Sequence, residues 1–315
     1  MRHRSIFFLL LLLGTSQAEA SRCLVVFSYH QGYEWNDGVE RGIDKILDDV
    51  CDIKKIYLDS KRNPKIDWIR YKAREAYEFA IRYKPDVIIA ADDNASKYLV
   101  MPYYQHGNTP VVFCGLNWTV EEYGYPYRNT TGMVEVSPMK TMLAELRTML
   151  PSVRKGIFIS DDSVSERKDY KYYKKYFQRE GIRLDSAFVT TMEEWKRHYL
   201  SSRDYDFMIL DNNASIHNWY RPEIEEFVRR HQEILSLTTS RWMLPYAAYG
   251  ITKVPEEQGE WAGKAAKSIL EGMQPAQIPI VGNHKSDTWV NPVLMQELNI
   301  KLPRLLYLRV KQFRE

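Results

Sequence analysis

Short apolar runs alternate along the chain with longer segments in which apolar residues recur every three or four positions. The apolar runs predict strands at 22–29, 52–58, 86–91, 110–115, 155–160, 182–189, 206–211 and 234–238. The periodic segments between them predict helices, because this spacing places apolar side chains on one helix face. Strands that alternate with helices are typical of parallel sheets covered on both faces. The pattern therefore predicts an α/β fold with two Rossmann-like, doubly wound lobes.

The two halves of the chain share a short sequence after one strand each. The first half reads PDVIIAADDNAS up to Ser96, and the second reads YDFMILDNNAS up to Ser215. Each combines an apolar strand, an Asp-rich turn and a predicted helix. Ligands of open α/β sheets bind beyond the carboxyl ends of strands, so two such turns facing each other would form a cleft. Chance similarity is one alternative, and another is that Asn94 and Asn213 act only as helix N-caps.

The first twenty residues have the pattern of a secretory signal. Basic residues at positions 2 to 4 precede an apolar run from Ile6 to Leu13, and small residues surround Ala20. The run is too short to span a bilayer, which needs about 20 apolar residues. We expect cleavage after Ala20, and no lipid anchor because Cys23 follows Arg22. The mature protein is predicted to be soluble, monomeric and periplasmic.

Charge and cysteine content narrow the function classes. The chain has 44 Lys and Arg against 41 Asp and Glu, so its net charge of +3 gives no indication of a nucleic-acid partner. The three cysteines lack zinc-site spacing, and we expect no metal and no cofactor. Cys23 and Cys51 open the first two predicted strands, where an oxidising compartment would allow a disulfide. Two buried thiols are the alternative, and Cys114 has no partner left.

Several segments together resemble a known family. They are PDVIIAADDNAS, TPVVFCGLN, TTGMVEVSPMKTMLAELRTMLPSVRKGIFIS, AYGITKVPEEQGEWAGKAAKSILEGMQPAQIPI and NPVLMQELNIKLP, between Pro85 and about Pro303. This stretch resembles the type I periplasmic binding proteins of the ABC transporter substrate-binding family, which includes aromatic-amino-acid-binding members. The resemblance implies two lobes joined by a multi-crossover hinge, a small ligand between them, and an ABC permease as partner.

The beginning of the predicted mature chain has a second resemblance. SYHQGYEWNDGVERGIDKIL, with YLDSKRNP and ADDNASKYL, is similar to periplasmic-binding-like sensor modules of bacterial kinases and diguanylate cyclases. Asp92, Asp93 and Asn94 also stand where typical transport members have a small Gly-Thr turn. Two roles therefore remain open. The protein could deliver an amino acid or related amine to an ABC importer, or it could signal ligand occupancy to a membrane-bound sensor protein.

The resemblance also divides the chain. It implies a signal peptide at 1–20, an N-terminal lobe at 21–118 and 249–284, a C-terminal lobe at 130–247 and 286–315, and hinge crossovers at 119–129, 248 and 285.

Strand ends that face the cleft in this fold provide the ligand-binding candidates. They are Ser28, Tyr29, His30, Trp35, Asp92, Asp93, Asn94, Asn117, Trp118, Asp161, Asp162, Asp211, Asn212, Asn213, Tyr246 and Tyr249. Aromatic faces beside carboxylates suit a cationic group on an apolar body, and helix N-termini suit a carboxylate. An amino acid or related amine meets both demands. A purely structural role is the alternative for Trp35 and His30.

An enzyme is the alternative from another class. Asp92 with Asp93, and Asp161 with Asp162, could provide acid and base groups across a cleft. The chain has no GxSxG, Walker-type or HExxH motif. We therefore expect ligand binding without catalysis.

Overall fold

The computed structural model describes residues 20–298, 300 and 302–314. Residues 1–19 of the predicted signal peptide lie outside this part of the chain. Within it, no helix is both long enough and apolar enough to cross a membrane.

The described residues form thirteen strands and eleven α-helices. The strands are β1 (Ser21–Phe27), β2 (Cys51–Tyr57), β3 (Val87–Ala91), β4 (Val111–Asn117), β5 (Thr130–Glu135), β6 (Lys155–Asp161), β7 (Arg183–Val189), β8 (Phe207–Leu210), β9 (Leu235–Thr238), β10 (Tyr249–Lys253), β11 (Val281–Gly282), β12 (Ser286–Val290) and β13 (Lys311–Gln312). The helices are α1 (Glu34–Leu47), α2 (Ile66–Tyr83), α3 (Asp92–Ala95), α4 (Met101–Tyr104), α5 (Met139–Met149), α6 (Val164–Arg179), α7 (Met192–Ser201), α8 (Arg221–His231), α9 (Pro255–Leu270), α10 (Pro292–Glu297) and α11 (Arg304–Tyr307). A π-helical segment, Ser96–Val100, joins α3 to α4.

The strands form two sheets with matching topology. The first has the order β11-β5-β4-β3-β1-β2, and the second has β13-β12-β10-β9-β8-β6-β7. Pairing among these strands is parallel except between β10 and β12. Strands are present at all eight predicted positions, with ends within two residues of the prediction. The α/β, doubly wound character of the chain is therefore confirmed.

Two predicted lobe boundaries require correction. Strand β5 pairs with β4, so residues 130–135 belong to the first sheet, although they were assigned to the C-terminal lobe. Strand β10 pairs with β9, so residues 249–253 belong to the second sheet, although they were assigned to the N-terminal lobe. Both segments contain glycine and threonine, which interrupt the apolar run that predicts a buried strand.

We call the first sheet with α1–α4 and α9 the first lobe, and the second sheet with the other helices the second lobe. The chain crosses between them at 136–138, at Val254 and at 283–285. The first of these replaces the predicted crossover at 119–129, the second replaces 248, and the third includes 285. The strand pairing determines these positions, because the chain can cross to the other lobe only after the preceding strand has ended.

Each lobe has its own apolar core. In the first lobe, α1 buries Trp35, Val39, Ile43 and Leu47 at helical spacing, and α9 packs against the same side of the sheet. Helix α2 covers the other side with small residues such as Ala73. In the second lobe, one cluster includes buried residues from α5, α6, α7 and α8. The two lobes therefore have the independent cores that a hinge between them requires.

A disulfide joins Cys23 on β1 to Cys51 on β2, with their Cα atoms 5.9 Å apart. The two strands are direct neighbours in the first sheet. Cys114, on β4, is buried and is not disulfide-bonded. The cross-link therefore lies entirely within the first lobe.

Side chains connect the three crossovers. Asn283 in the third crossover accepts a hydrogen bond from the Val136 N–H and donates one to the Val136 carbonyl, in the first crossover. Glu135, the last residue of β5, forms a buried ion pair with Lys253, the last residue of β10. The Glu257 carboxylate accepts the backbone N–H groups of His284 and Lys285. The hinge is thus a polar network at the edge of the cleft.

Candidate functional site

A cavity of about 30 Å³ lies between the lobes at the carboxyl ends of their strands. Six of the predicted ligand-binding residues line it together, namely Tyr29, Trp35, Asp92, Asn117, Asp211 and Asn212. The first four come from the first lobe and the last two from the second. The strand ends therefore do converge from both lobes.

The cavity lining is rich in acidic groups. Among its described residues, five carry carboxyl groups and two carry ammonium groups, namely Asp92, Glu135, Glu166, Asp169, Asp211, Lys61 and Lys253. Burial raises the pKa of Asp92, Glu135 and Glu166 above their ordinary values. Burial also raises the pKa of Asp169, to about 7. The site thus holds carboxyl groups whose ionised forms lack the solvation that water gives them.

The Asp-rich turn after β3 places Asp92 at the cavity. Its backbone is left-handed, with φ of 69°, and the residue is 1% exposed. The Trp35 indole N–H donates to Asp92 Oδ1 at 2.8 Å, whereas Oδ2 accepts no hydrogen bond from the residues that the structure describes. A Cβ at Gly115 would lie 2.6 Å from Asp92 Oδ1. Gly115 on the neighbouring strand therefore makes room for this carboxyl group.

Asp93 lies beside the cavity lining and holds other residues in place. Its carboxylate accepts a hydrogen bond from the Asn117 side-chain amide at 2.8 Å and another from the Tyr123 hydroxyl. Lys168, on α6 of the second lobe, lies 3.4 Å away and forms a partly buried ion pair with it. Asp93 thus positions Asn117 and connects the lobes.

The Asp-rich turn after β8 places Asp211 and Asn212 at the cavity. The Thr239 hydroxyl donates to Asp211 Oδ1 at 2.6 Å. The Asn212 amide donates to the Tyr33 hydroxyl of the first lobe at 3.2 Å and to Glu166 at 2.9 Å. Asn212 is therefore both a lining residue and a bridge between the lobes.

The sequence predicted a helix directly after this second turn, and that prediction is wrong. The next helix, α8, begins only at Arg221, and the intervening residues form an extended loop with a turn. The N-cap of α8 is Tyr220. Asn94 lies inside α3, whose N-cap is Ala91. Neither Asn94 nor Asn213 therefore serves as the N-cap that was the alternative interpretation.

Two lysines place their ammonium groups over aromatic rings of the lining. Lys61 Nζ lies 5.3 Å from the Tyr29 ring centroid and 5.8 Å from that of Tyr33. It also donates to the Ser165 hydroxyl across the cleft at 3.2 Å. Lys253 Nζ lies 5.5 Å from the Trp35 centroid. These distances are within the range of cation–π attraction, so the lining can stabilise alkylammonium groups.

Burial alone would lower the pKa of Lys61, but neighbouring groups, with Asp161 the strongest, reverse the effect and raise it. Lys61 therefore stays charged. Its ammonium lies 3.7 Å from Glu166 Oε1 in an ion pair whose side chains are both almost fully buried. This ion pair joins the first lobe to α6 of the second lobe across the cleft.

The lobes are in contact across the cleft. In addition to Lys61, the Trp118 indole N–H donates to Asp169 Oδ1 at 2.7 Å. The remaining cavity is much smaller than the roughly 300–1,000 Å³ of typical small-molecule pockets. Entry of an organic ligand therefore requires the lobes to separate about the crossovers.

Three carboxylates of the second lobe lie close enough to share a cation. Glu166, Asp169 and Asp211 each have an oxygen within 4.8 Å of the other two. Carboxylate oxygens are ligands that hard divalent cations prefer, so this set could hold such an ion. The absence of a metal site, expected from the sequence, stays a prediction.

The other sequence-predicted residues do not line the cavity. They are Ser28, His30, Asp93, Asn94, Trp118, Asp161, Asp162, Asn213, Tyr246 and Tyr249. Several of them hold the surrounding backbone. The Ser28 hydroxyl connects β1 to the Ala91 carbonyl and the Ala95 N–H, and Asp161 accepts the Ser215 N–H.

The rest of these residues have local partners. His30 Nδ1 lies 3.4 Å from Asp59, Asp162 pairs with Arg167, and the Asn94 amide donates to the Ser60 hydroxyl. Trp118 stacks on Tyr172, the Tyr246 hydroxyl accepts from Trp219, and Tyr249 donates to Glu145. Asn213 contributes its backbone carbonyl to the Ile216 N–H.

Sequence analysis missed nine lining residues, which are Tyr33, Lys61, Glu135, Ser165, Glu166, Asp169, Ser240, Trp242 and Lys253. Lys61 follows β2. The rule that ligands bind beyond the carboxyl ends of strands, here called the strand-end rule, could therefore have identified it. Glu166 and Asp169 occupy the same stripe of α6 as buried Tyr173 and Phe177. The spacing of that stripe was a usable signal, but acidic helix residues are usually solvent-exposed.

The family model for ABC transporter substrate binding proteins matches residues 33–312 of the chain. No curated protein matches it.

Solved structures share the fold over nearly the whole chain. A conserved domain protein from Vibrio cholerae is 16% identical with a TM-score of 0.70, covering 94% of this chain and 100% of its own. An ABC domain in complex with L-Trp from Streptococcus pneumonia is 14% identical with a TM-score of 0.69, covering 93% and 99%. A ligand-free, open substrate binding protein with adhesive properties from Clostridium difficile is 16% identical with a TM-score of 0.65, covering 94% and 99%.

The two-lobed α/β architecture is thus that of type I periplasmic binding proteins, as predicted. Since the family model extends through both lobes and all three crossovers, the chain belongs to the family of ABC transporter substrate-binding proteins.

Proposed function

We propose that the protein is a monomeric, periplasmic solute-binding protein that captures an amino acid or related amine between its lobes. It delivers this ligand to an ABC permease and catalyses no reaction. The observation that carries the proposal is the convergence of side chains from both lobes on one cavity, where aromatic faces lie beside carboxyl groups. Such a lining suits a ligand with an ammonium group and an apolar body.

Capture would work through a shift between open and closed forms. The contacts that Lys61, Asn212 and Trp118 make across the cleft exist only when the lobes are closed. A ligand that touches both lobes adds free energy to the closed form alone and so increases its population. The relatives described in complex with L-Trp and as ligand-free and open support this mechanism.

A sensory accessory role is the second candidate. The residues Tyr33, Trp35, Lys61 and Asp92 belong to the segments that are similar to sensor modules, and all four line the cavity. In this role the closed form would contact a membrane-bound kinase or diguanylate cyclase. A neighbouring gene pair for a permease and an ATPase would favour transport, whereas a neighbouring kinase or cyclase gene would favour signalling.

A thermal-shift screen tests the binding function. A ligand that binds only the folded protein stabilises it by about 2.7 kcal/mol at a hundredfold excess over Kd. We expect at least one compound among amino acids, amines, purines and short peptides to raise the melting temperature.

The Asp211→Asn variant should lose most of this shift, because Asp211 lines the cavity. Asp185→Asn is the control, since Asp185 lies on β7 and pairs with Arg183. A screen in which no compound raises the melting temperature would contradict the proposal.

A further inference from the structure

The charge of the cavity lining restricts the class of ligand. The five carboxyl groups and two ammonium groups leave an excess of three acidic groups, since 5 − 2 = 3. Both ammonium groups already have carboxylate partners, because Lys61 pairs with Glu166 and Lys253 with Glu135. None of the arginines in the described ranges lines the cavity. A ligand carboxylate would therefore enter a lining in which carboxyl groups outnumber ammonium groups and both ammonium groups already have carboxylate partners.

Asp92 provides a separate observation that indicates a ligand. It is almost completely buried, it lines the cavity, and its Oδ2 atom accepts no hydrogen bond from the described part of the chain. A buried carboxyl oxygen without a hydrogen-bond partner is unfavourable unless a ligand provides one. The left-handed backbone of Asp92 also shows that the surrounding structure holds this residue in an uncommon conformation.

The two lysines show what kind of donor the cavity accommodates. Each places an alkylammonium group between a carboxylate and an aromatic ring, with Lys61 beside Glu166 and Tyr29, and Lys253 beside Glu135 and Trp35. The Trp35 indole also donates to Asp92, so that carboxyl group lies at the edge of the same aromatic surface. A ligand ammonium at Asp92 Oδ2 would have the same type of surroundings.

We infer that the ligand is a small organic dication of the linear diamine class that lacks a carboxylate. One ammonium group binds Asp92 on the first lobe, and the other binds Asp169 and Asp211 on the second. This inference rests on the proposed binding function and names its ligand class. Two ligand ammonium groups would stabilise the ionised forms of buried carboxyl groups that burial alone disfavours, and a ligand held at both ends favours closure of the lobes.

Titration calorimetry on the mature protein, with α,ω-diamines from propane-1,3-diamine to hexane-1,6-diamine and with spermidine, tests this inference. The matched single-charge probe is butan-1-amine, and the matched zwitterion is 4-aminobutanoate. We expect a diamine to bind at least about tenfold more tightly than either, because each lacks one ammonium group. L-Tryptophan, magnesium chloride and calcium chloride complete the panel.

The Asp92→Asn variant locates the first ammonium site. It keeps the shape of the side chain and an oxygen for the Trp35 N–H but removes the charge, so diamine affinity should fall at least about tenfold. Asp86→Asn is the control, because Asp86 is half-exposed and precedes the other end of β3. If Asp92→Asn does not fold, the ligand panel on the unmodified protein still decides the ligand class.

The possible results separate this inference from the proposed function. If amino acids bind and diamines do not, the dication inference is overturned while the solute-binding proposal stands. If only the magnesium or calcium salt binds, the acidic cluster is a metal site and the diamine inference is overturned. If nothing in this panel or in the broader screen binds, both proposals fail.

Discussion

The two Asp-rich turns, residues 92–96 and 211–215, follow the equivalent third strand of each sheet. The first residue of each turn, Asp92 or Asp211, lines the cavity. The second residue of each contacts the opposite lobe, since Asp93 pairs with Lys168 and Asn212 donates to Tyr33. The two similar turns thus have the same two roles. The first residue of each lines the cavity, and the second connects the lobes.

The turns differ in backbone and in hydrogen bonding. Asp92 has a left-handed backbone, a helix begins with it, and one of its carboxyl oxygens has no donor among the described residues. Asp211 receives the Thr239 hydroxyl, and its turn leads into a loop that continues to α8. The first turn thus leaves one carboxyl oxygen of Asp92 without a protein partner, whereas one carboxyl oxygen of Asp211 in the second turn already accepts a hydrogen bond from Thr239.

The largest effect is expected from pH, because several buried carboxyl groups respond together. Burial raises the pKa of Asp169 from its ordinary 3.8 to about 7, and it raises the pKa of Asp92 and Glu135 as well. Between about pH 4 and pH 7 the folded form therefore binds more protons than the unfolded form. Its free energy of unfolding should decrease as pH rises through this window.

The Asp169→Asn variant isolates this effect, because exposed acidic groups also change stability with pH. The amide cannot ionise, and it keeps an oxygen to accept the Trp118 N–H. The melting temperature of the unmodified, unliganded protein should fall relative to that of the variant as pH rises from about 4 to 7. A constant difference across this window would show that Asp169 is already ionised in the folded protein.

The next largest effect is expected from Lys61, which connects the two sides of the cleft. Lys61→Met leaves Glu166 buried without its cation, and breaking a buried ion pair costs about 3–5 kcal/mol. The lobes can avoid this cost by separating, which returns Glu166 to water. We therefore expect a larger radius of gyration for the unliganded variant by small-angle scattering.

Arg62→Met is the matched control for Lys61→Met. Arg62 is the next residue in the chain, is exposed, and pairs with Asp59 within the first lobe. Its scattering profile should equal that of the unmodified protein. Equal profiles for Lys61→Met as well would mean that other contacts keep the lobes closed.

The sequence predicted the central strands well because buried parallel strands are continuous apolar runs. It did not predict β5 or β10. Each contains a glycine that interrupts the apolar run, and a neighbouring side chain packs closely against that glycine. A Cβ on Gly132 in β5 would lie 2.1 Å from the Phe113 ring on β4, so only glycine fits beside that ring. Such a contact between strands cannot be derived from the local pattern.

The sequence identified those site residues whose position is set by the topology of a single lobe. Tyr29, Asp92 and Asp211 follow strands, and the strand-end rule finds them from topology alone. Glu166 and Asp169 line the cavity because α6 faces the other lobe, and Glu135 pairs with Lys253 because two crossovers meet. These contacts depend on the relative placement of the lobes, which the hydrophobic pattern does not specify.

The smallest effect is expected for the hydrogen bond between the Tyr33 hydroxyl and the Asn212 amide, which joins two uncharged groups. A bond of this kind contributes about 1 kcal/mol to the free energy of unfolding. Tyr33→Phe removes the hydroxyl alone and should cost about this amount in a denaturant titration. Asn212→Ala should cost more, because Asn212 also bonds Glu166 and Trp242 within the second lobe.

A double-mutant cycle of Tyr33→Phe and Asn212→Ala separates the bond between the lobes from those local contacts. If the two residues interact in the closed, unliganded protein, the double variant should lose about 1 kcal/mol less than the sum of the single changes. Asn213→Ala is the control, since Asn213 supports the turn through its backbone carbonyl, and it should combine additively with Tyr33→Phe. Additive losses for Tyr33 and Asn212 would mean that the second turn does not connect the lobes, and the functional similarity of the two turns would then be limited to the cavity.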